Sequence, residues 1–316
     1  MPTPAIFTDE LTRDFDTLRA IDHLSLVVES GSVYGVLGPS GAGKTTLLRL
    51  LLGLLMPTSG SINVLGYPVP LQADIARSRT GVLLEATGLY DRLSAVDNLD
   101  LFARIWHIPA DERKSRTREL LQHFGLWERR NERVDMWSPG MKRTLAIARA
   151  LVHRPSLLLL DEPMSGLDAT AQSVLRSDLM ALTAQEGVSV LLATKDAVTA
   201  GQLCQRVAIL RSGQLLAEDS VGAITRLAGG PQVRIAGRGF NDDMIALVRR
   251  RQDVRRVWHA NGYLLVELVD ELACAAIVNL LVESGADVEA VEHQHAGLEA
   301  AYRALLEGAD EKRPVG

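Results

Sequence analysis

Aromatic residues are scarce in this chain, at 4% of 316 positions. It therefore lacks the stacking platforms with which proteins grip single-stranded nucleic acid. It also lacks a cationic excess: the formal net charge is −5, without the basic footprint of a nucleic-acid binder. Only two cysteines occur, Cys204 and Cys274. They lie far apart and make neither a CxxC pair nor a metal-ligand spacing, so a reduced cytosolic setting follows. The seven histidines are scattered. His293 and His295, the closest pair, have no Cys or HxxxH companion and read as loop or strand-edge residues. No apolar run approaches the roughly 20 residues that span a bilayer. The opening MPTPAIFTDE is not a basic segment followed by an apolar core. The chain reads as soluble, and a membrane role requires a partner that supplies the spanning helices.

What is present is an ordinary globular balance, 47% hydrophobic and 23% charged, with length for about two domains. Residues 1–228 alternate short apolar runs with helical patterns, the signature of α/β layers. Val33–Leu37, Ile62–Leu65, Gly81–Leu84, Leu157–Leu160, Val188–Ala193, Arg206–Leu210 and Gln214–Ala217 read as strands, with a hairpin turn at Ser212-Gly213. Thr45–Leu55 reads as a buried helix. Residues of about 92–149 turn helical: Ser94 with Asp97 resembles a capping box, Pro109 opens a second helix, and Gly125 ends it. Arg129, Arg130 and Arg133 in this insertion read as a solvated basic surface.

Leu227-Ala-Gly-Gly-Pro231 reads as a linker. Residues 232–307 then read as a small α+β unit in the order β-α-β-β-α-β, the ferredoxin-like arrangement. Its parts are Gln232–Ala236, a helix capped by Asn241, Val254–His259, Tyr263–Val269, Glu271–Ser284 and Val288–Glu292, with a hairpin at Asn261-Gly262. A last helix, Leu298–Leu306, precedes a fraying polar tail.

Chemistry concentrates in three segments. Gly38-Pro39-Ser40-Gly41-Ala42-Gly43-Lys44-Thr45-Thr46 fits G-x-x-x-x-G-K-[ST], with a strand before it and a helix after it. Its glycines let backbone N–H groups turn toward phosphate oxygens. Lys44 suits the β- and γ-phosphates, and Thr45 suits Mg²⁺. The motif makes the chain a binder of a nucleoside triphosphate, with ATP and Mg²⁺ the expected pair. Leu157–Leu160 runs into Asp161 and Glu162. An acid at the end of a buried strand can hold the metal, and its neighbour can orient or deprotonate water. Ser138 and Pro139 suit the N-cap and first position of a helix over Lys142–Leu151.

The ordered set resembles an ABC-type ATP-binding subunit over about residues 8–220. It comprises the phosphate loop, Ser138-Pro139-Gly140, Leu157–Pro163 and Ser165-Gly166-Leu167-Asp168. The implied fold is a P-loop NTPase core of the α/β class with a helical insertion. The resemblance implies a dimer, most simply a homodimer, sandwiching ATP. Ser138 and Gly140 then act on the partner's nucleotide, Asp168 sits at the seam, and Phe15 stacks on adenine.

Three departures stand out. Glu85 replaces the usual glutamine and can still ligate Mg²⁺. Pro139 replaces a glycine. Lys195, in Thr194-Lys195-Asp196, replaces the histidine that organises the γ-phosphate side. Lysine is a point charge with no acceptor, so slow hydrolysis is expected, with Glu162 and Lys195 as the catalytic pair.

The small C-terminal unit, with Leu298-Glu299-Ala-Ala-Tyr302, resembles the accessory domain of drug- and antibiotic-export subunits. The implied function is to drive a membrane permease on a separate chain from the inner face of the cell membrane. Two other readings stand beside it. One is a poorly hydrolysing partner in a heterodimer. The other is a non-transport ATPase on ribosomes or DNA, which the single phosphate loop and acidic charge disfavour.

Overall fold

The computed structural model describes residues 3–227, 232–260, 262–270, 273–294 and 297–311. Most of the proposed linker, Asn261 of the proposed hairpin, Glu271, and His295 lie outside them. The chain forms two compact units, Met1–Glu218 and Asp219–Gly316.

The first unit opens with β1 (Ile6–Phe15) and β2 (Leu18–Val28), then β3 (Val33–Leu37) and α1 (Lys44–Leu51). It continues through β4 (Ser59–Val64), β5 (Tyr67–Val69), α2 (Ala73–Ser78) and β6 (Thr80–Leu83). Three helices follow, α3 (Ala95–Ile105), α4 (Ala110–His123) and α5 (Pro139–Leu151). The unit closes with β7 (Leu157–Asp161), α6 (Ala169–Glu186), β8 (Ser189–Thr194), α7 (Ala197–Leu203), β9 (Arg206–Arg211) and β10 (Gln214–Ser220).

Six strands make one sheet in the order β10-β9-β3-β8-β7-β6, and β9, β3, β8, β7 and β6 pair in parallel. Every residue of β3, β7 and β8 is buried. That is why these strands read as continuous apolar runs and not as alternations. Leu47, Leu48, Leu50 and Leu51 of α1 pack into the same core as Leu157, Leu159 and Leu191. The order places the carboxyl ends of β3, β8, β7 and β6 side by side, the edge of a parallel sheet where ligands bind.

The sheet leaves no room at Gly81, in β6. A Cβ there would meet the Ala150 carbonyl and come within 2.7 Å of Leu158 Cδ2 and 2.9 Å of Pro155 Cγ. Gly81→Ala is expected to cost about 2 kcal/mol and lower the melting temperature by roughly 4–8 °C. Calorimetry checks this; an unchanged transition would mean that α5 can slide off the sheet at no cost.

A second sheet, β2-β1-β4-β5, was missed in the sequence apart from β4. The helical segments agree closely with expectation. Ser94 caps α3 and accepts from the Asp97 amide at 3.2 Å, and Gly125 takes φ 69 after α4. Arg129 pairs with Glu132 and Arg133 with Asp135, while Arg130 covers the Trp127 ring. α1 stops at Leu51, short of the expected Leu55, and Gly53 takes φ 65 just beyond it.

The second unit holds α8 (Val221–Leu227), β11 (Gln232–Arg238), α9 (Asp242–Arg249), β12 (Val254–Ala260), β13 (Tyr263–Leu268), α10 (Cys274–Glu283), β14 (Asp287–Gln294) and α11 (Leu298–Glu311). Its sheet runs β12-β13-β11-β14, antiparallel throughout, as the ferredoxin-like reading requires. Asn241 caps α9 through the Met244 amide at 2.9 Å. Val233, Ile235, Leu264, Val266, Val248, Ile277 and Leu281 form its core. His293 lies in β14. α11 runs to Glu311, past the Leu306 at which the sequence reading ends it, and residues 312–316 of the tail lie outside the described residues.

Candidate active site

Four adjacent parallel strands deliver the chemistry to one cleft. β3 ends at Leu37 and feeds the phosphate loop. β8 ends at Thr194 and feeds Lys195. β7 ends at Asp161 and feeds Glu162. β6 ends at Leu83 and feeds Glu85. The cleft has a volume of about 680 Å³ and is lined by Ser40–Thr46, Glu85, Arg143, Asp161, Glu162, Ser165 and Lys195, with Leu18, Arg19, Ala20 and Ser212 at its rim.

The loop geometry depends on its glycines. Gly43, at φ 102, stands at the N-cap of α1, and a Cβ there would lie 2.5 Å from the Ala20 carbonyl oxygen. Gly41 takes φ 80. The first N–H groups of α1 have no carbonyl a turn behind them, which makes this end an anion site. Lys44 is buried; its Nζ donates to the carbonyls of Gly38 at 2.7 Å and Pro39 at 3.0 Å. Burial weakens its hold on the proton, Glu162 and Asp161 strengthen it, and Lys195 weakens it.

Thr45 Oγ1 donates to Asp161 Oδ2 at 2.7 Å. Two cis ligands of one octahedral magnesium, each at about 2.1 Å, stand about 3 Å apart. The pair therefore fits that ion after a small separation, and both are the hard oxygen donors it prefers. Among the described residues no three His, Cys, Asp or Glu side chains gather as a metal cage. The remaining ligands would come from phosphate oxygens and water.

Glu162 holds a left-handed backbone, φ 47. Its amide donates to the Ala193 carbonyl at 2.8 Å. Its Oε2 accepts from Thr194 Oγ1 at 2.9 Å and its Oε1 from the Lys195 amide at 2.8 Å. Thr194 in turn accepts from the Asp196 amide at 3.0 Å. The carboxylate is thereby aimed by the strand next door. Lys195 and Glu85 are both exposed on the cleft.

Sequence reading passed over Thr194 and Arg143. Arg143 is 7% exposed and sits among Ala146, Ile147 and Ala150 on the buried stripe of α5. A charge on an apolar stripe was the available signal.

Other expected residues stand apart. Ser138 caps α5 and accepts from the Met141 amide at 3.3 Å, with Pro139 in the first turn. Gly140 abuts the Gly166 carbonyl, 2.8 Å from where a Cβ would be. Asp168 caps α6 through the Ala171 amide at 2.8 Å. None of these lines the cleft. Phe15 ends β1 half-exposed, with the Arg13 guanidinium 4.3 Å from its ring centroid; it too lies off the cleft wall.

The match to known proteins agrees with this geometry. The family model described as ABC transporter matches residues 21–165. The Nod factor export ATP-binding protein I of Paraburkholderia xenovorans is 36% identical over 256 residues, covering 80% of this chain and 84% of that protein. The daunorubicin resistance ATP-binding protein DrrA3 of Streptomyces coeruleorubidus is 36% identical over 238 residues, 75% of each chain. The ABC transporter ATP-binding protein NatA of Bacillus subtilis is 38% identical over 200 residues, 63% of this chain and 81% of that one. A solved ATP-binding subunit of an ABC transporter superposes with a TM-score of 0.66 at 28% identity, covering 71% of this chain and 92% of its own. A dimeric ATP-binding cassette bound to ADP and Pi, 24% identical, shares the fold with a TM-score of 0.64 over 68% of this chain and 98% of its own. Phosphate loop, acid pair and relatives together establish that the chain belongs to the ABC transporter family, among its ATP-binding proteins.

Proposed function

We propose that this chain is the ATP-hydrolysing subunit of an exporter whose permease is a separate membrane chain. Two copies would close on ATP, and the closure would be passed to the permease. The observation that carries the reading is the asymmetry of the cleft. It holds a phosphate loop, a metal-ligand pair and a base, yet Ser138 and Gly140 line none of it. A second copy supplies them. Among the described residues no helix is long and apolar enough to cross a membrane. Relatives named for Nod factor export and daunorubicin resistance support transport outward. The first unit, with its helical segment, would be the engine, and the second an accessory domain. Nothing in the second unit gathers catalytic side chains among the described residues, which favours dimer support or regulation there.

Each group then has a task. The loop amides and Lys44 bind the phosphates, and Phe15 offers a ring face to the base. Thr45 and Asp161, with Glu85 as a third oxygen donor, would hold magnesium, which supplies charge neutralisation at the β- and γ-phosphates. Glu162 takes the proton of the attacking water, and Lys195 meets the γ-phosphate as a point charge. The bond from the γ-phosphorus to the bridging oxygen breaks, giving ADP and phosphate.

Lys195 and Glu85 also favour a second reading, a poorly hydrolysing subunit that works beside a more active one. ATP turnover by the purified chain separates the two. Lys195→His is expected to raise kcat roughly fivefold, because imidazole can donate and accept at once. Equal or lower turnover in that variant would mean Lys195 does not limit hydrolysis.

A further inference from the structure

Arg143 joins two walls of the cleft. Its Nη1 donates to the carbonyls of Leu84 at 3.4 Å and Glu85 at 3.3 Å. Its Nη2 donates to the carbonyls of Asp161 and, at 2.7 Å, Glu162. Its Nε has no partner among the described residues. Arg149, also on α5, holds the carbonyls of Val82 at 2.7 Å and Gly88 at 3.4 Å. A Cβ at Gly88 would come within 2.5 Å of that guanidinium. The segment carrying Glu85 is thus fastened to α5 at both ends.

A guanidinium this deep is costly unless charges or acceptors surround it. Burial weakens the hold of Arg143 on its proton, and Asp161, Glu162 and Glu85 offset part of that loss. Those three carboxylates line the cleft that Arg143 lines from behind. Magnesium held by Asp161 and Glu85 would offset part of the repulsion between these carboxylates and a triphosphate, and Arg143 adds a fixed cation behind the same wall.

We propose that Arg143 is a positioning residue for ATP hydrolysis. It is the fixed counter-charge that lets Glu85 stand as a third carboxylate beside the triphosphate, while its carbonyl contacts hold Glu162 and the Glu85 segment in register. The proposal rests on the ATPase reading above.

A double-mutant cycle on the full chain tests it, using Arg143→Met, Glu85→Gln and the double variant. ATP turnover is measured with magnesium, and binding with a fluorescent ATP analogue. Arg143→Met is expected to lower kcat about 10–30-fold when Glu85 is present and only about threefold when it is combined with Glu85→Gln. A purely structural arginine would cost the same in both, and equal losses overturn the proposal. If Arg143→Met fails to fold, Arg143→Lys takes its place in the same cycle. Lysine keeps the charge but cannot span four carbonyls, so its loss should be smaller than that of a neutral side chain and the same with and without Glu85→Gln; a loss that shrinks when it is combined with Glu85→Gln overturns the proposal. Wild-type chain that binds ATP without turnover would refute the ATPase reading alone. The cycle is then read in nucleotide affinity, where Arg143→Met must weaken binding more in the presence of Glu85 than in the Glu85→Gln chain, and equal weakening overturns the proposal.

Discussion

Glu162→Gln is expected to lower kcat by about 10²–10⁴-fold, the span of a lost general base, while nucleotide affinity stays within about threefold. The carboxylate accepts two hydrogen bonds, from Thr194 Oγ1 at 2.9 Å and from the Lys195 amide at 2.8 Å. Glutamine keeps the size and one acceptor. Its oxygen can serve the Lys195 amide, and its NH₂ can donate to Thr194 once that hydroxyl turns. Thr194 Oγ1 already accepts from the Asp196 amide at 3.0 Å and has a second lone pair to offer. Fold and binding therefore survive, and only the ability to take a proton is lost. Phosphate release under saturating ATP reads the first quantity and titration with a fluorescent ATP analogue the second. Turnover within a factor of about three of wild type would place the base elsewhere.

The site was legible in sequence wherever a chemical constraint showed in consecutive residues. Leu157–Glu162 reads as buried strand plus acids because a parallel strand is buried on both faces, and the apolar run stops at Asp161, which is itself still buried. The phosphate loop reads because glycine is the residue that tolerates φ 102 against the Ala20 carbonyl. The β1–β2 hairpin did not read, because its register slips between Thr8 and Leu11, again between Leu11 and Arg13, and again at Asp14. Glu10 and His23 both sit at φ 48. Each slip swaps inside for outside, so the period of two that reveals a strand is erased. Arg143 was illegible for another reason. Its partners are carbonyls of segments about 18 and about 58 residues away, and a backbone carbonyl carries no mark in a sequence. Ser138, Gly140 and Asp168 differ again: within one chain they are helix caps and a close contact, and the roles proposed for them toward a second copy come from the family resemblance.

Lys44→Met is expected to weaken ATP binding by about 10²–10³-fold. The ammonium is 8% exposed and parked on the carbonyls of Gly38 and Pro39. A triphosphate in the loop offers it charged acceptors instead, each such hydrogen bond contributing about 1.5–3 kcal/mol; two of them convert to about 10²–10⁴-fold, and giving up the bonds to Gly38 and Pro39 brings the net loss to the lower part of that range. Methionine keeps the apolar stem that packs beside the loop, and the Pro39 carbonyl retains its bond from the Ala42 amide at 3.1 Å, so the loop should keep its shape. Lys195 also lines the cleft, but it cannot stand in. It lies exposed at the carboxyl end of β8, beside the loop that β3 feeds, and its charge already opposes that of Lys44. The two lysines are separable by ligand. If Lys44 serves the β-phosphate as proposed, its loss should weaken ADP and ATP alike. If Lys195 serves only the γ-phosphate as proposed, Lys195→Met should weaken ATP and leave ADP within about threefold. Calorimetric titration of both nucleotides reads the difference. If Lys44→Met bound ADP as wild type does, the β-phosphate would not sit in this loop.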